Sequence, residues 1–246
     1  MAHIEKIKNT KAIKRLKHYE RSEKKPHPDI DLSRSHLNYR LFNPRNDPQT
    51  GQEISDIDWF RKRKKECKPL IKRSDVNSLA SLCIKIPQGV QAADEQRFFV
   101  ECLKFMAKKV GSENIISGFC HKDERGINEK TGENAPHAQI SWLPVVKEKK
   151  KNPKTGKLEE TGRDKIYAKS LDLKFFLNFH KELQAHFDNL PEPIQGAKVH
   201  TGYMKKNNLK NRPVPQMKKE SKERAVFKLD RAEVERKVEQ KGVFIR

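Results

Sequence analysis

The chain has no apolar stretch approaching the ~18 residues needed to cross a bilayer, which excludes a transmembrane helix. Its opening residues, MAHIEKIKNTKAIKRLKHYER, contain no apolar core, so no secretory signal is expected. Cysteine is scarce. Cys67, Cys83, Cys102 and Cys120 form no CxxC pair and match no common zinc or disulfide framework. That predicts reduced thiols in a cytoplasmic protein. Hydrophobic residues make up only 34%, yet phenylalanine occurs 12 times and the apolar runs are clustered. A folded core with solvated basic arms is expected. Acidic residues are also few: 33 against 54 Lys and Arg, a formal charge of +21. Self-repulsion on that scale destabilises a compact chain unless a polyanion neutralises it. Nucleic acid is the first candidate and an anionic membrane surface the second. No amphipathic helix with an aromatic apolar face supports the membrane.

At 246 residues the chain fits one domain of average size with an extension. We expect a domain over residues 1–195 and a basic linker with a helical tail over 196–246. Ile4, Ile7, Ile13 and Leu16 give a thin apolar stripe that predicts a basic helix over 1–25, stopped by Pro26 and Pro28. His36–Phe42 partly alternates and predicts a strand. Ser55, followed by Asp56 and Asp58, predicts a capped helix over 55–73. SLASLCIKI (78–86), NIISGFC (114–120) and HAQISWLPVV (137–146) predict buried strands. Between them, Phe98, Phe99, Leu103, Met106 and Val110 mark an amphipathic helix over 92–110. A Lys-rich hairpin or loop over 147–165, a helix over 170–188 and a charged helix over 216–241 follow. The order implies an α+β fold, an antiparallel sheet with helices packed on one face.

Three groups of residues carry chemistry. His121-Lys-Asp-Glu124 ends one predicted strand and Pro136-His137-Ala-Gln139 begins the next. Alternate residues of a strand face the same way, so His137 and Gln139 share a face. His121 completes a three-ligand set with positions left for water or a phosphate oxygen. Imidazole and carbonyl oxygen suit Mn²⁺ or Mg²⁺. The second group is Lys17-His18-Tyr19-Glu20-Arg21, where His18 and Arg21 lie one helical turn apart. A neutral imidazole can attack phosphorus, and a guanidinium can hold a phosphate oxygen. The third is Ser33-Arg34-Ser35-His36-Leu37-Asn38-Tyr39, a polar strand face suited to a phosphate backbone, with Tyr39 offering a stacking surface.

KHYER, DLSRSHLNYRL and HKDE…PHAQ together resemble, in order and approximate spacing, the plasmid mobilization/recombination proteins (Mob/Pre, the MobV-type relaxases). The resemblance covers roughly residues 1–190, with SRSHLNY its most specific part. It implies the fold of the HUH endonucleases, an antiparallel sheet presenting paired histidines to a divalent metal. It also implies nicking and rejoining of one DNA strand at a plasmid transfer origin, with the enzyme left on the new 5′ end. The implied partners are single-stranded or hairpin origin DNA and a coupling protein. By resemblance His18 is the nucleophile and Arg21 the phosphate-binding arginine. His121 and His137 are metal ligands, and Glu124 is the acid that orients or activates the nucleophile. Arg34, His36, Asn38 and Tyr39 position DNA. Gln139 stands where the family pattern His-x-Asp-Glu-x-x-Pro-His-x-His ends in histidine, and the loop from Glu124 to Pro136 is longer than the pattern's. Two alternatives stay open. One is a rolling-circle replication initiator using Tyr203 of Tyr203-Met-Lys-Lys206. The other is a non-catalytic nucleic-acid-binding protein in which Gln139 marks a decayed site.

Overall fold

Ile4 and Ile7, three residues apart, suit one face of a helix, yet they occupy opposite faces of a strand. The structure, a computed structural model, describes residues 2–47, 50–67, 75–124 and 136–199. Its first element is β1 (Ala2–Lys8), and the expected helix is confined to α1 (Asn9–Glu20). The spacing misleads because both faces of the sheet are covered. Ile4 packs on one hydrophobic cluster and Ile7 on the other.

A 3-10 turn over Leu32–Leu37 precedes β2 (Tyr39–Arg40), so Arg34 and His36 do not lie on the strand face expected of them. The Asp31 carboxylate accepts from the Ser33 amide at 3.2 Å and the Ser33 hydroxyl at 2.6 Å. Such local bonds compete with strand pairing in serine-rich runs. Short strands β3 (Arg45–Asn46) and β4 (Glu53–Ile54) pair with each other and lead to α2 (Asp56–Glu66). Its N-cap Ser55 accepts from the Asp58 amide. Then come β5 (Asn77–Lys85), α3 (Glu95–Val110), β6 (Ile115–His121) and β7 (His137–Trp142). After Leu143-Pro144 the chain leaves the sheet as a hairpin, β8 (Val145–Lys151) and β9 (Leu158–Ile166). Helix α4 (Leu173–Asp188) is capped by Asp172, which accepts from the Phe175 amide. The charged helix expected over 216–241 lies outside the described residues.

The main sheet runs β1-β5-β7-β6-β2, each neighbour antiparallel. Helices cover both of its faces, not one. On one side Ala80, Leu82 and Ile84 of β5 and Ala138, Ile140 and Trp142 of β7 meet Phe98, Phe99 and Met106 of α3 and Phe179, Leu183 and Phe187 of α4. Phe98 stacks on Phe187 with ring centroids 4.8 Å apart, joining the two helices. On the other side Ala12, Leu16 and Tyr19 of α1 and Phe60 of α2 close over Ile7, Leu79 and Ile116. Each large side chain so buried contributes roughly 1.5–3 kcal/mol. Among the described residues the four cysteines form no disulfide. Burial lifts the Cys120 thiol to about 12, so it stays protonated.

The chain divides into two units. One comprises residues 1–123 and 135–201, and the other residues 124–134 and 202–246. Of the second, Glu124 alone is described. Among the described residues no helix is long and apolar enough to cross a membrane.

Candidate active site and metal centre

The alternation of β7 that sends Ala138, Ile140 and Trp142 into the α3–α4 core turns His137 and Gln139 toward the α1 side. In the β6–β7 ladder His121 stands directly opposite His137, and Phe119 opposite Gln139. The two imidazoles, 0% and 2% exposed, meet edge to face with centroids 5.5 Å apart. Gln139 Nε2 lies 3.5 Å from His137 Nε2. The three residues expected to converge therefore share one face of adjacent strands.

His121 Nε2 lies 2.9 Å from the Tyr19 carbonyl oxygen. A carbonyl only accepts, so Nε2 carries the proton, and the neutral ring offers Nδ1 as its lone pair. A backbone carbonyl fixing the tautomer of a buried histidine is a common arrangement behind metal ligands. Ligand atoms of His121, Glu124 and His137 all lie within 4.8 Å of one another. Glu124 was expected beside the nucleophile, and this grouping with the histidines is a different use of its carboxylate. The Gln139 Oε1 is buried and has no hydrogen-bond partner among the described residues. Two imidazoles, a carboxylate and an orphaned amide oxygen make a donor set that fits a borderline or hard divalent cation.

Helix α1 ends over this face. The Tyr19 hydroxyl donates to Ser81 Oγ on β5 at 2.7 Å, and burial pushes the phenol well above its usual range. With its carbonyl on His121, Tyr19 fixes the last turn of the helix at two points. His18, on that turn, has its Nδ1 3.2 Å from Glu23 Oε2. A carboxylate acceptor makes Nδ1 the protonated nitrogen and leaves Nε2 as the lone pair. Nε2 lies 3.5 Å from Arg21 Nη1, and the side chain is 20% exposed.

Arg21 adopts a left-handed conformation, φ 58° and ψ 27°, among the described residues the one non-glycine position with positive φ. The conformation costs roughly 1–2 kcal/mol. It swings the guanidinium onto Asp123, with Nε to Oδ2 at 2.9 Å and Nη2 to Oδ1 at 2.7 Å. Nη1 donates to the His18 carbonyl at 2.8 Å. The fork expected to grip phosphate is thus engaged with a buried carboxylate. Asp123 also accepts from Ser35 Oγ at 2.8 Å and Asn38 Nδ2 at 2.7 Å. Burial opposes its charge, but these bonds prevail and hold the carboxyl down at about 2. Asn38 Oδ1 accepts from the Lys122 amide at 2.8 Å. Asn38, expected to contact DNA, has its amide spent inside the protein.

Tyr39 likewise donates its hydroxyl to Glu95 Oε1 at 3.1 Å, and Lys122 pairs with the same carboxylate at 2.7 Å. His36 is exposed, with Nδ1 2.8 Å from the Ser33 carbonyl, and Arg34 is half-buried on the same turn. Residue-by-residue reading missed three participants, Asp123, Ser35 and Glu23. For Asp123 a signal existed, since His121 and Asp123 stand two apart, but it sits beside a glutamate that drew the acidic role.

All three sequence groups thus meet at one end of the sheet. A family model described as plasmid recombination enzyme (Mob_Pre) matches residues 1–161, two thirds of the chain. The chain belongs to the Mob_Pre family. No curated protein matches it. Among solved structures it is similar to a Mn-bound MobM relaxase domain on 23 nucleotides of plasmid pMV158 oriT DNA. Identity is 19%, 89% of this chain and 96% of that chain are covered, and the TM-score is 0.57. A Mn-bound form of that domain on 22 nucleotides with a 3′ thiophosphate gives 19%, 89%, 97% and 0.55. The form on 26 nucleotides gives 16%, 87%, 97% and 0.50. At these identities the likeness shows the shared α+β fold. Tyr203, the alternative nucleophile, lies outside the described residues of this Mob_Pre protein.

Proposed function

We propose that this Mob_Pre protein is a plasmid mobilization relaxase. It nicks single-stranded or hairpin transfer-origin DNA, stays joined to the 5′ phosphate, and rejoins the strand by the reverse step. The observation that carries this reading is Asp123. One buried carboxylate ties together Arg21 of the second sequence group, Ser35 and Asn38 of the third, and the strand end bearing His121 of the first.

His18 is the nucleophile in this reading. Glu23 holds the imidazole so that the Nε2 lone pair is directed away from the carboxylate, and the anchored end of α1 keeps that atom in place before DNA arrives. Fixing the attacking atom in advance removes much of the entropic part of the barrier. Nε2 attacks phosphorus, the N–P bond forms, and the P–O3′ bond breaks. The Nδ1 proton passes to Glu23, and the leaving oxygen takes a proton from water to become a 3′ hydroxyl. Arg21 is a positioning residue here. His121, His137, Glu124 and Gln139 would hold a divalent ion, Mn²⁺ or Mg²⁺, which when bound polarises the phosphate and offsets developing charge. Arg34 and His36 are left to meet the DNA backbone. The net charge of +21 supplies the sequence-independent attraction. A cytoplasmic location and a coupling-protein partner complete the proposal, with residues 196–246 as a basic tail that adds affinity.

The test is incubation with single-stranded origin DNA and Mn²⁺, followed by denaturing electrophoresis. A shifted protein–DNA band that appears only with metal is expected. Binding without any adduct would leave the non-catalytic reading.

A further inference from the structure

Beyond the main sheet the β8–β9 hairpin forms a two-stranded ribbon, with Lys151 opposite Leu158 at its far end and Val145 opposite Ile166 at its base. From Val145 to Ile166 it carries eight Lys and Arg against four acidic residues. The compensation is uneven. Toward the base Lys147 pairs with Asp164 at 2.7 Å and Lys149 with Glu160 at 3.5 Å. Glu159, opposite Lys150, accepts from Asn152 Nδ2. Lys150, Lys151, Lys154 and Lys157, all exposed around the tip, make no ion pair among the described residues. The ribbon also contains no aromatic residue over 145–166.

Relying on the relaxase reading above, we propose that this ribbon is a docking arm for double-stranded DNA next to the nicked strand, its four tip lysines taking the phosphates. The choice of duplex over single strand follows from composition. Surfaces that grip single strands combine charge with aromatic platforms for the bases, and this one has charge alone. Strands ~4.8 Å apart make a ribbon narrow enough for the ~12 Å major groove, with lysines reaching the phosphates on its rims. Seven residues of β8 extend roughly 23 Å, about two thirds of a duplex turn. At its lysine-rich tip the ribbon exposes a single large apolar side chain, Leu158, and one leucine is not the apolar face that holds an element to a membrane.

The experiment uses the full chain and the variant K150Q/K151Q/K154Q/K157Q. Affinities for a 20-base-pair duplex of arbitrary sequence and for a 20-nucleotide single strand are measured by anisotropy at several salt concentrations. Each lost duplex phosphate contact reduces the salt slope by about 0.9. Four contacts predict a slope shallower by about 3.6, so between 50 and 200 mM salt the wild type loses on the order of 10²-fold more duplex affinity than the variant. The single-strand slope should change much less. An unchanged duplex slope overturns the proposal, as does an equal loss on both probes. Binding to phosphatidylserine vesicles that disappears in the variant, with duplex affinity intact, also overturns it. Circular dichroism of the variant excludes unfolding, and a second variant, K154E/K157E, which makes the same change of four in net charge, should give a comparable loss of duplex affinity. Adduct formation by the wild type tests the relaxase reading separately, and its failure would leave the salt-slope result standing.

Discussion

Arg21 and Asp123, 102 residues apart in sequence, close a two-pronged ion pair in which the carboxylate is fully buried and the guanidinium 9% exposed. The pair fastens the end of α1, where His18 sits, to the end of β6, where His121 sits. Ser35 and Asn38 bind the same carboxylate, so it fixes the relative placement of three chain segments with one charge. Removing either partner leaves the other charge buried and unmatched, which is the expensive way to break such a pair.

The Asp123→Asn variant should therefore lose about 3–5 kcal/mol of stability by urea denaturation. Acid dependence provides a second reading. The folded carboxyl titrates at about 2, below its value in the unfolded chain. Its contribution is complete above the unfolded value near pH 4 and disappears as pH falls toward 2. A shift of that size is worth about 2 kcal/mol over the window. Asp123→Asn should flatten that part of the stability–pH curve. An unaltered slope between pH 4 and 2 would show that Asp123 is not the group responsible.

For His18 the expectation separates chemistry from affinity. His18→Ala should abolish the covalent adduct while DNA binding stays within about twofold. The wild-type adduct should be acid-labile and alkali-stable, as a phosphoramidate is. Glu23→Gln keeps the shape but weakens the hold on Nδ1, and should slow single-turnover nicking by roughly 10–100-fold, less than the loss of a group that itself transfers the proton. Continued nicking by His18→Ala, abolished by Tyr39→Phe or Tyr203→Phe, would move the nucleophile to a tyrosine.

Much of the frame was readable because the central strands are buried on both faces. SLASLCIKI, NIISGFC and the start of HAQISWLPVV are short apolar runs bounded by breakers, and they became β5, β6 and β7 within a residue or two at their starts. The edge strand β1 was not readable. Its Ile4–Ile7 spacing fits a helix, and only knowledge of a second core beneath α1 shows why two faces need an isoleucine each. The same ignorance of the second core placed all helices on one face. At the site, the shared face of His137 and Gln139 followed from strand periodicity alone. The roles of Asp123, Asn38 and Arg21 did not, because they depend on contacts spanning about 85–100 residues that no local pattern encodes.

Arg21 itself sets two effects against each other. Its left-handed backbone costs roughly 1–2 kcal/mol, which glycine would recover. Glycine would also delete the ion pair, and a lone buried Asp123 costs about 3–5 kcal/mol. Arg21→Gly should therefore be destabilised by a net ~1–4 kcal/mol in urea titration. Arg21→Lys keeps the charge but not the fork, and should fall between glycine and wild type. A glycine variant as stable as wild type would mean that the pair contributes little beyond the strain it requires.

The metal site turns on residue 139. A neutral amide oxygen is a weaker donor than imidazole, and the Gln139 Oε1 is buried beside His137 with no hydrogen bond of its own among the described residues. Such an oxygen gains most from a cation and loses little else when replaced. Gln139→His should tighten binding of Mn²⁺ by about tenfold or more in isothermal titration, and of Zn²⁺ further still, since nitrogen ligation favours the later metal. Nicking with Mn²⁺ should be preserved or raised. Gln139→Ala should weaken the ion modestly, whereas His137→Ala should remove measurable binding and metal-dependent nicking together. Glu124→Gln separates the two uses of that carboxylate. If Glu124 is a ligand, metal affinity falls along with activity. If it serves His18, titration is unchanged while nicking slows. An affinity indifferent to both Gln139→His and His137→Ala would place the ion elsewhere and remove the paired histidines from the metal centre.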